Sequence, residues 1–159
     1  MQTSFICQLP NEAATERLGA TLATFCKPGW IIYLQGDLGA GKTTLARALL
    51  HALGHVGKVK SPTYTLIEPY NLPSLMAYHL DLYRLGDPDE LEYIGLRDLL
   101  DATVLLLVEW PEHGHGYLPP ANVIVELNYQ ANGRNAKLLV TSNDALLLTE
   151  KLLEKQLQF

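Results

Sequence analysis

An α/β fold is predicted for this 159-residue chain: a P-loop NTPase-like sheet, parallel at its centre with added antiparallel strands, and helices on both faces. Three observations predict it. The apolar run "WIIYLQ" passes directly into the glycine-rich turn "GDLGAGKTT" and then into the helix-like "TTLARALLHALG". The run "TVLLLVEW" is aliphatic throughout, as expected of a strand covered on both faces in mid-sheet. Finally, "NVIVELNYQ" and "RNAKLLVTS" flank Ala131, Asn132 and Gly133, a hairpin signal that adds antiparallel strands.

The elements follow in order. "TSFICQL" reads as a short strand, and "NEAATERLGATLATFC" as a helix that Asn11 can N-cap, with Ala14, Leu18, Leu22 and Phe25 on one face. "WIIYLQ" is a buried strand, and Gly54 closes the helix that follows the glycine loop. Two extended segments, Tyr64 to Tyr70 and Met76 to Tyr83, are joined by the turn-rich "NLPS". "DPDELEYIGLRDLL" supplies Asp87 as cap, Pro88 at the first helical position and one or two short helical pieces. After the aliphatic strand and the late hairpin, "NDALLLTEKLLEKQL" has the pattern of an amphipathic C-terminal helix.

Length and composition narrow the function classes. A single domain is expected over residues 1–159, with 48% hydrophobic and 18% charged residues. The longest purely aliphatic run, Val104 to Val108, is too short to span a bilayer, and "MQTSFICQLPNE" has no secretory character. The only cysteines, Cys7 and Cys26, lie among apolar residues without metal-ligand spacing, so a reduced cytoplasmic setting and plain core thiols are expected. The net charge of -5 argues against a broad electrostatic grip on nucleic acid, so any RNA connection runs through a partner.

The loop carries the chemistry. Gly36, Gly41, Lys42 and Thr43 satisfy G-x-x-x-x-G-K-[ST]. Gly36, Gly39 and Gly41 let the backbone curl so that successive N–H groups face one anion, and the helix beginning near Lys42 aims its positive end at the same point. The expected ligand is ATP with Mg²⁺, held by Asp37, Leu38, Gly39, Ala40, Gly41, Lys42, Thr43 and Thr44. Lys42 neutralises β- and γ-phosphate charge, the Thr43 hydroxyl is placed to ligate Mg²⁺, and Thr44 can add a bond to the α-phosphate.

Such a loop needs an acid for the metal at the end of a neighbouring apolar strand. "VLLLVE" offers Glu109, one methylene longer than the usual Asp, and Asp81 is the rival. If "NLPS" makes a hairpin, Asp81 lies near Thr65 and Tyr83 near Thr63, and alternation puts His79, Asp81 and Tyr83 on one face. "SPTYT" and "HLDLY" then form one polar cluster suited to sensing a γ-phosphate, orienting water or meeting a partner. His113 and His115, in "PEHGHGYLPP", read as residues of a flexible loop rather than metal ligands.

GTPases read guanine with an N-K-x-D loop, and none is present. A small-molecule kinase usually has an arginine-bearing lid, whereas Arg17, Arg47, Arg84, Arg97 and Arg134 are scattered; that weakens the kinase reading and leaves it as the alternative, beside a nucleotide-binding regulator without useful hydrolysis. "GDLGAGKTTLARALL", "VKSPTYTLIEPY", "YHLDLYRL", "DPDELEYIGLRDLL" and "LVEWPEHG", in that order across most of residues 31–116, resemble the TsaE (YjeE) family. The resemblance implies a bacterial ATPase that works with TsaD and TsaB in placing threonylcarbamoyl on adenosine 37 of tRNAs reading codons that begin with A. It implies that ATP turnover activates or resets the TsaB–TsaD complex, which does the transfer and meets the tRNA, with Lys42, Asp81 and Glu109 as catalytic residues, Thr43 and Glu109 around Mg²⁺, and "SPTYT" as a switch. By resemblance, Asn11 and Arg134 flank the nucleotide base.

Overall fold

The computed structural model describes residues 3–155. The first strand β1 (Thr3–Leu9) leads into helix α1 (Glu12–Ala23), whose entry is fixed by Asn11: its side-chain oxygen accepts from the Ala14 amide at 2.9 Å. Then come β2 (Ile31–Gly36), the glycine loop and α2 (Lys42–Ala52). Next are β3 (Ile67–Asn71), β4 (Met76–Asp81), the single turns α3 (Glu90–Tyr93) and α4 (Leu96–Leu99), and β5 (Val104–Glu109). After a 3-10 turn (Pro111–Gly114), β6 (Val123–Gln130) and β7 (Gly133–Val140) form the late hairpin, and a second 3-10 turn (Asn143–Ala145) opens into α5 (Leu146–Lys155).

These strands build one seven-stranded sheet in the order β1-β7-β6-β2-β5-β4-β3. Its centre, β6-β2-β5-β4, is parallel, while β3, β7 and β1 join antiparallel. Alternation along β5 explains why both faces need cover. Leu105 and Leu107 pack with the buried leucines of α1 and α2, whereas Leu106 and Val108 pack with Leu80, Leu82, Leu91 and Leu96 on the α3–α4 side. Each such fully buried leucine is worth roughly 1.5–3 kcal/mol. Helices α1 and α2 approach closely at Gly19, where a Cβ would stand 2.7 Å from the Leu45 carbonyl oxygen. Among the described residues no helix is long and apolar enough to cross a membrane.

Four expectations are corrected. Tyr64 to Leu66 are not strand: the Leu66 amide donates to the Pro62 carbonyl at 2.8 Å and Leu66 lies at φ 73, so the segment after Pro62 closes a turn of its own. The β3–β4 hairpin pairs Ile67 with Leu80 and Asn71 with Met76, one residue off the expected register, and the Asp81 amide donates to the Leu66 carbonyl. Asp81 therefore does not meet Thr65, whose hydroxyl donates to Glu68 instead. Asp87 caps through the Asp89 amide at 2.9 Å, but α3 starts at Glu90, so Pro88 precedes the helix. His113 lies in the first 3-10 turn, tied by Nδ1 to the Leu82 carbonyl at 2.8 Å and stacked on Trp110, rather than in a loose loop. The end of the expected C-terminal helix, from residue 156 on, lies outside the described residues, as do residues 1 and 2.

Candidate nucleotide site

The parallel centre of the sheet sends β2, β4 and β5 toward one edge, where an open α/β sheet leaves its ligand crevice. There β2 ends at Gly36 and the chain curls through Gly36 (φ 146), Gly39 (φ 75) and Gly41 (φ 108), conformations a side chain would strain. Gly41 caps α2 without a side-chain bond, so the first-turn amides of an 11-residue helix open onto the loop. Asp37 and Ala40 close the curl, the Ala40 amide donating to the Asp37 carbonyl at 3.1 Å, while Leu38 projects outward.

Lys42 is folded into this loop. Its ammonium donates to the carbonyls of Gly36 (2.5 Å) and Asp37 (2.9 Å) and lies 4.3 Å from the centre of the Trp110 ring. Burial pulls its pKa below the ordinary lysine value, while the charges of Glu109 and Asp81 push the other way.

Across the gap, Thr43 Oγ1 donates to Glu109 Oε1 at 2.9 Å and lies 3.3 Å from Oε2. Glu109 ends β5, beside β2 on one side and β4 on the other, where it pairs with Asp81. His79 Nε2 sits 2.6 Å from Glu109 Oε2, both side chains buried. Asp81 accepts from the Tyr83 amide at 3.0 Å and from the Thr63 hydroxyl at 3.2 Å. Burial raises its carboxyl pKa above the usual aspartate value, with the Glu109 charge acting in the same direction and the Tyr83 and Thr63 bonds opposing.

These groups line a cleft of about 370 Å³, with Gly39, Gly41, Lys42, Thr43 and Thr44 on one wall and Thr63, Asp81, Glu109 and Trp110 opposite. A hydroxyl and two carboxylates are hard oxygen donors of the kind Mg²⁺ takes, and the glycine curl with its lysine suits a polyphosphate. The residues fit both groups. Among the described residues no three His, Cys, Asp or Glu side chains form a group that could hold a metal ion. A smaller cavity of about 130 Å³ adjoins the loop, lined by Glu12, Thr15, Gly39, Gly41, Thr44 and Arg134. Arg134 Nη2 donates to the Gly39 carbonyl at 3.0 Å, while Asn11 caps α1 and is not among the lining residues.

The geometry thus brings together Lys42, Thr43, Asp81 and Glu109 and sets Arg134 beside the loop. Trp110, which the sequence did not single out, also belongs here, against Lys42; His79, expected on the face of Asp81, stands behind Glu109, and Arg84, read as scattered, lines the cleft wall. Trp110 carries a left-handed backbone (φ 57), which has no sequence signal in a bulky residue.

Comparison with known proteins gives the family. The family described as "Threonylcarbamoyl adenosine biosynthesis protein TsaE" matches residues 9–137. The chain belongs to the TsaE family. It is 46% identical over 140 residues to a curated TsaE of Haemophilus influenzae, covering 85% of this chain and 89% of that protein. It is 42% identical over 100 residues to that of Bacillus subtilis, covering 63% and 62%. Both are named tRNA threonylcarbamoyladenosine biosynthesis protein TsaE. The crystal structure of Bacillus subtilis YdiB superposes with a TM-score of 0.77 at 28% identity, covering 97% of this chain and 95% of that one. The TsaE match takes in every residue named above around the loop, from Asn11 to Arg134.

Proposed function

We propose that this chain binds Mg-ATP and hydrolyses it as the ATPase of the bacterial machinery that installs threonylcarbamoyl on adenosine 37 of tRNAs reading codons that begin with A. Turnover activates or resets a TsaB–TsaD transferase complex in the cytoplasm, and the tRNA is engaged through that complex rather than by this acidic chain. The family gives the pathway, and one observation carries the catalytic reading: the Thr43 hydroxyl and the Glu109 carboxylate are hydrogen-bonded at 2.9 Å at the mouth of a left-handed glycine loop.

When bound, Mg²⁺ would supply positive charge beside the phosphates, and Thr43 and Glu109 are the residues that would hold it. Lys42 exchanges its bonds to the Gly36 and Asp37 carbonyls for phosphate oxygens, a trade of two neutral acceptors for charged ones. The first-turn amides of α2 and those of Gly39 and Gly41 meet the remaining phosphate oxygens. Asp81, fixed by Thr63 and the Tyr83 amide, is the second carboxylate and orients water; Arg134 borders the base side.

The test is ATP turnover by purified protein, alone and with TsaB–TsaD. Lys42→Ala and Thr43→Ala should each abolish productive turnover while leaving the unfolding midpoint close to wild type, and TsaB–TsaD should stimulate the wild-type rate. Wild-type turnover in Lys42→Ala sinks the reading. Stimulation by a small hydroxylated acceptor instead of TsaB–TsaD turns it into a small-molecule kinase.

A further inference from the structure

We infer that His79 is a positioning residue that sets the orientation of Glu109; the inference rests on the reading of this site as an Mg-nucleotide site. On β4, Ala77 and His79 face α2, and Ala77 packs with Leu105 and Leu107 of β5 in the cluster beneath α1 and α2. His79 is 0% exposed in that aliphatic setting, where an imidazole is unfavourable unless its polar atoms are bonded. Only one of them is. Nε2 lies 2.6 Å from Glu109 Oε2, and Nδ1 has no hydrogen-bond partner among the described residues.

That asymmetry assigns the ring hydrogen. A buried N–H on Nδ1 would be orphaned, so the hydrogen belongs on Nε2, which donates to the carboxylate. The two oxygens of Glu109 then have separate duties. Oε2 is held from the core side by His79, and Oε1 is turned to the Thr43 hydroxyl at the cleft. Glutamate has one more side-chain torsion than aspartate, so a carboxylate at the end of β5 needs a second anchor to keep one orientation. His79 does not line the cleft, so it acts through Glu109 rather than on a ligand. Groups one step behind a metal-holding carboxylate typically change metal affinity or activity by about 10- to 100-fold when removed.

The variants are His79→Leu, His79→Gln and His79→Asn. Glutamine carries an N–H at the depth of Nε2, and asparagine carries one only at the depth of Nδ1. The readouts are kcat and KM for ATP, the Mg²⁺ concentration at half-maximal ADP binding, and ADP binding without metal. His79→Leu should lower kcat and raise the Mg²⁺ requirement by about tenfold or more, leaving metal-free ADP binding unchanged. His79→Gln should recover most of both losses and His79→Asn should not. Should His79→Leu fail to fold, the comparison of glutamine with asparagine still decides. Wild-type kcat and Mg²⁺ response in His79→Leu, or equal recovery by asparagine and glutamine, overturns the role of His79 alone. A wild-type chain that binds neither ADP nor ATP overturns the proposed function and this role with it.

Discussion

Thr43 and Glu109, on the first turn of α2 and the last residue of β5, are hydrogen-bonded at 2.9 Å. The two groups that would share a metal are therefore held against each other by the fold itself, and Lys42 is bonded to the carbonyls of the same loop. Preassembly of this kind lets binding energy go to the charge that develops on the phosphates rather than to ordering the protein.

Glu109→Gln keeps the side-chain volume but removes the charge, and its amide cannot accept from both His79 Nε2 and Thr43 through two oxygens. Mg²⁺-dependent turnover should fall by about 10- to 100-fold, while nucleotide binding without metal changes little. Mg²⁺ titrations of turnover check this. If the mutant curve overlays that of wild type, Asp81 is the carboxylate that holds the metal.

Gly19→Ala should destabilise the protein although alanine is the better helix former. The new Cβ would meet the Leu45 carbonyl at 2.7 Å and the Ala48 Cβ at 2.9 Å, so α1 and α2 must part. Overpacking of this kind typically costs about 1–3 kcal/mol, against a propensity gain of up to about 1 kcal/mol. A net loss of about 1–2 kcal/mol in a denaturant titration is expected, and an increase in stability would mean that the helices separate freely.

Much of this was legible because its signals are local. The glycine loop, the aliphatic β5, the β6–β7 turn and the Asn11 cap each lie within a few residues of the feature they encode. Alternation also put His79 and Asp81 on one face. What alternation does not encode is sheet order: His79 reaches Glu109 only because β4 lies beside β5, a contact between residues 30 apart in the chain. The polar cluster was expected with Asp81 near Thr65, and a one-residue shift gave it Thr63 instead, since the turn at Pro62–Leu66 takes up chain that the hairpin would have used. Arg84 and Arg134 looked scattered because their placement, Arg84 on the cleft wall and Arg134 on the Gly39 carbonyl, is likewise non-local.

Burial pushes the Cys7 thiol up to about 11 and the Cys26 thiol up to about 12. Both shifts favour the neutral thiol in the folded state relative to an unfolded value of about 8.5. The corresponding stability is present in full below that value and is lost as pH rises from about 8.5 through about 11 and 12. Cys7, fully buried, should resist alkylation at pH 8 in the native protein and half-buried Cys26 should react more slowly than in denaturant, and the unfolding midpoint should drop between pH 8 and pH 11. Rapid labelling of Cys7 in the native protein at pH 8 would count against it.

Asp81 holds the Pro62–Leu66 turn at two points. Its amide donates to the Leu66 carbonyl at 3.1 Å, and its carboxylate accepts from the Thr63 hydroxyl at 3.2 Å. Within that turn Leu66 sits at φ 73, a left-handed conformation that costs a non-glycine residue on the order of 1–3 kcal/mol. A strained segment tethered through one carboxylate at the cleft wall has the makings of two arrangements, and a γ-phosphate or a partner surface can favour one over the other. Asp81→Ala releases the Thr63 tether without touching Lys42 or the glycine loop, and it removes a carboxyl that burial already disfavours in its charged form. The mutant should therefore retain ATP binding, lose stimulation by TsaB–TsaD by about tenfold, and fail to support repeated rounds of tRNA modification. Asp81→Asn, which keeps an acceptor for Thr63, should lie between the two. Modification at the normal rate by Asp81→Ala would reduce this cluster to a bonded strand end, with the coupling between nucleotide and partner carried elsewhere.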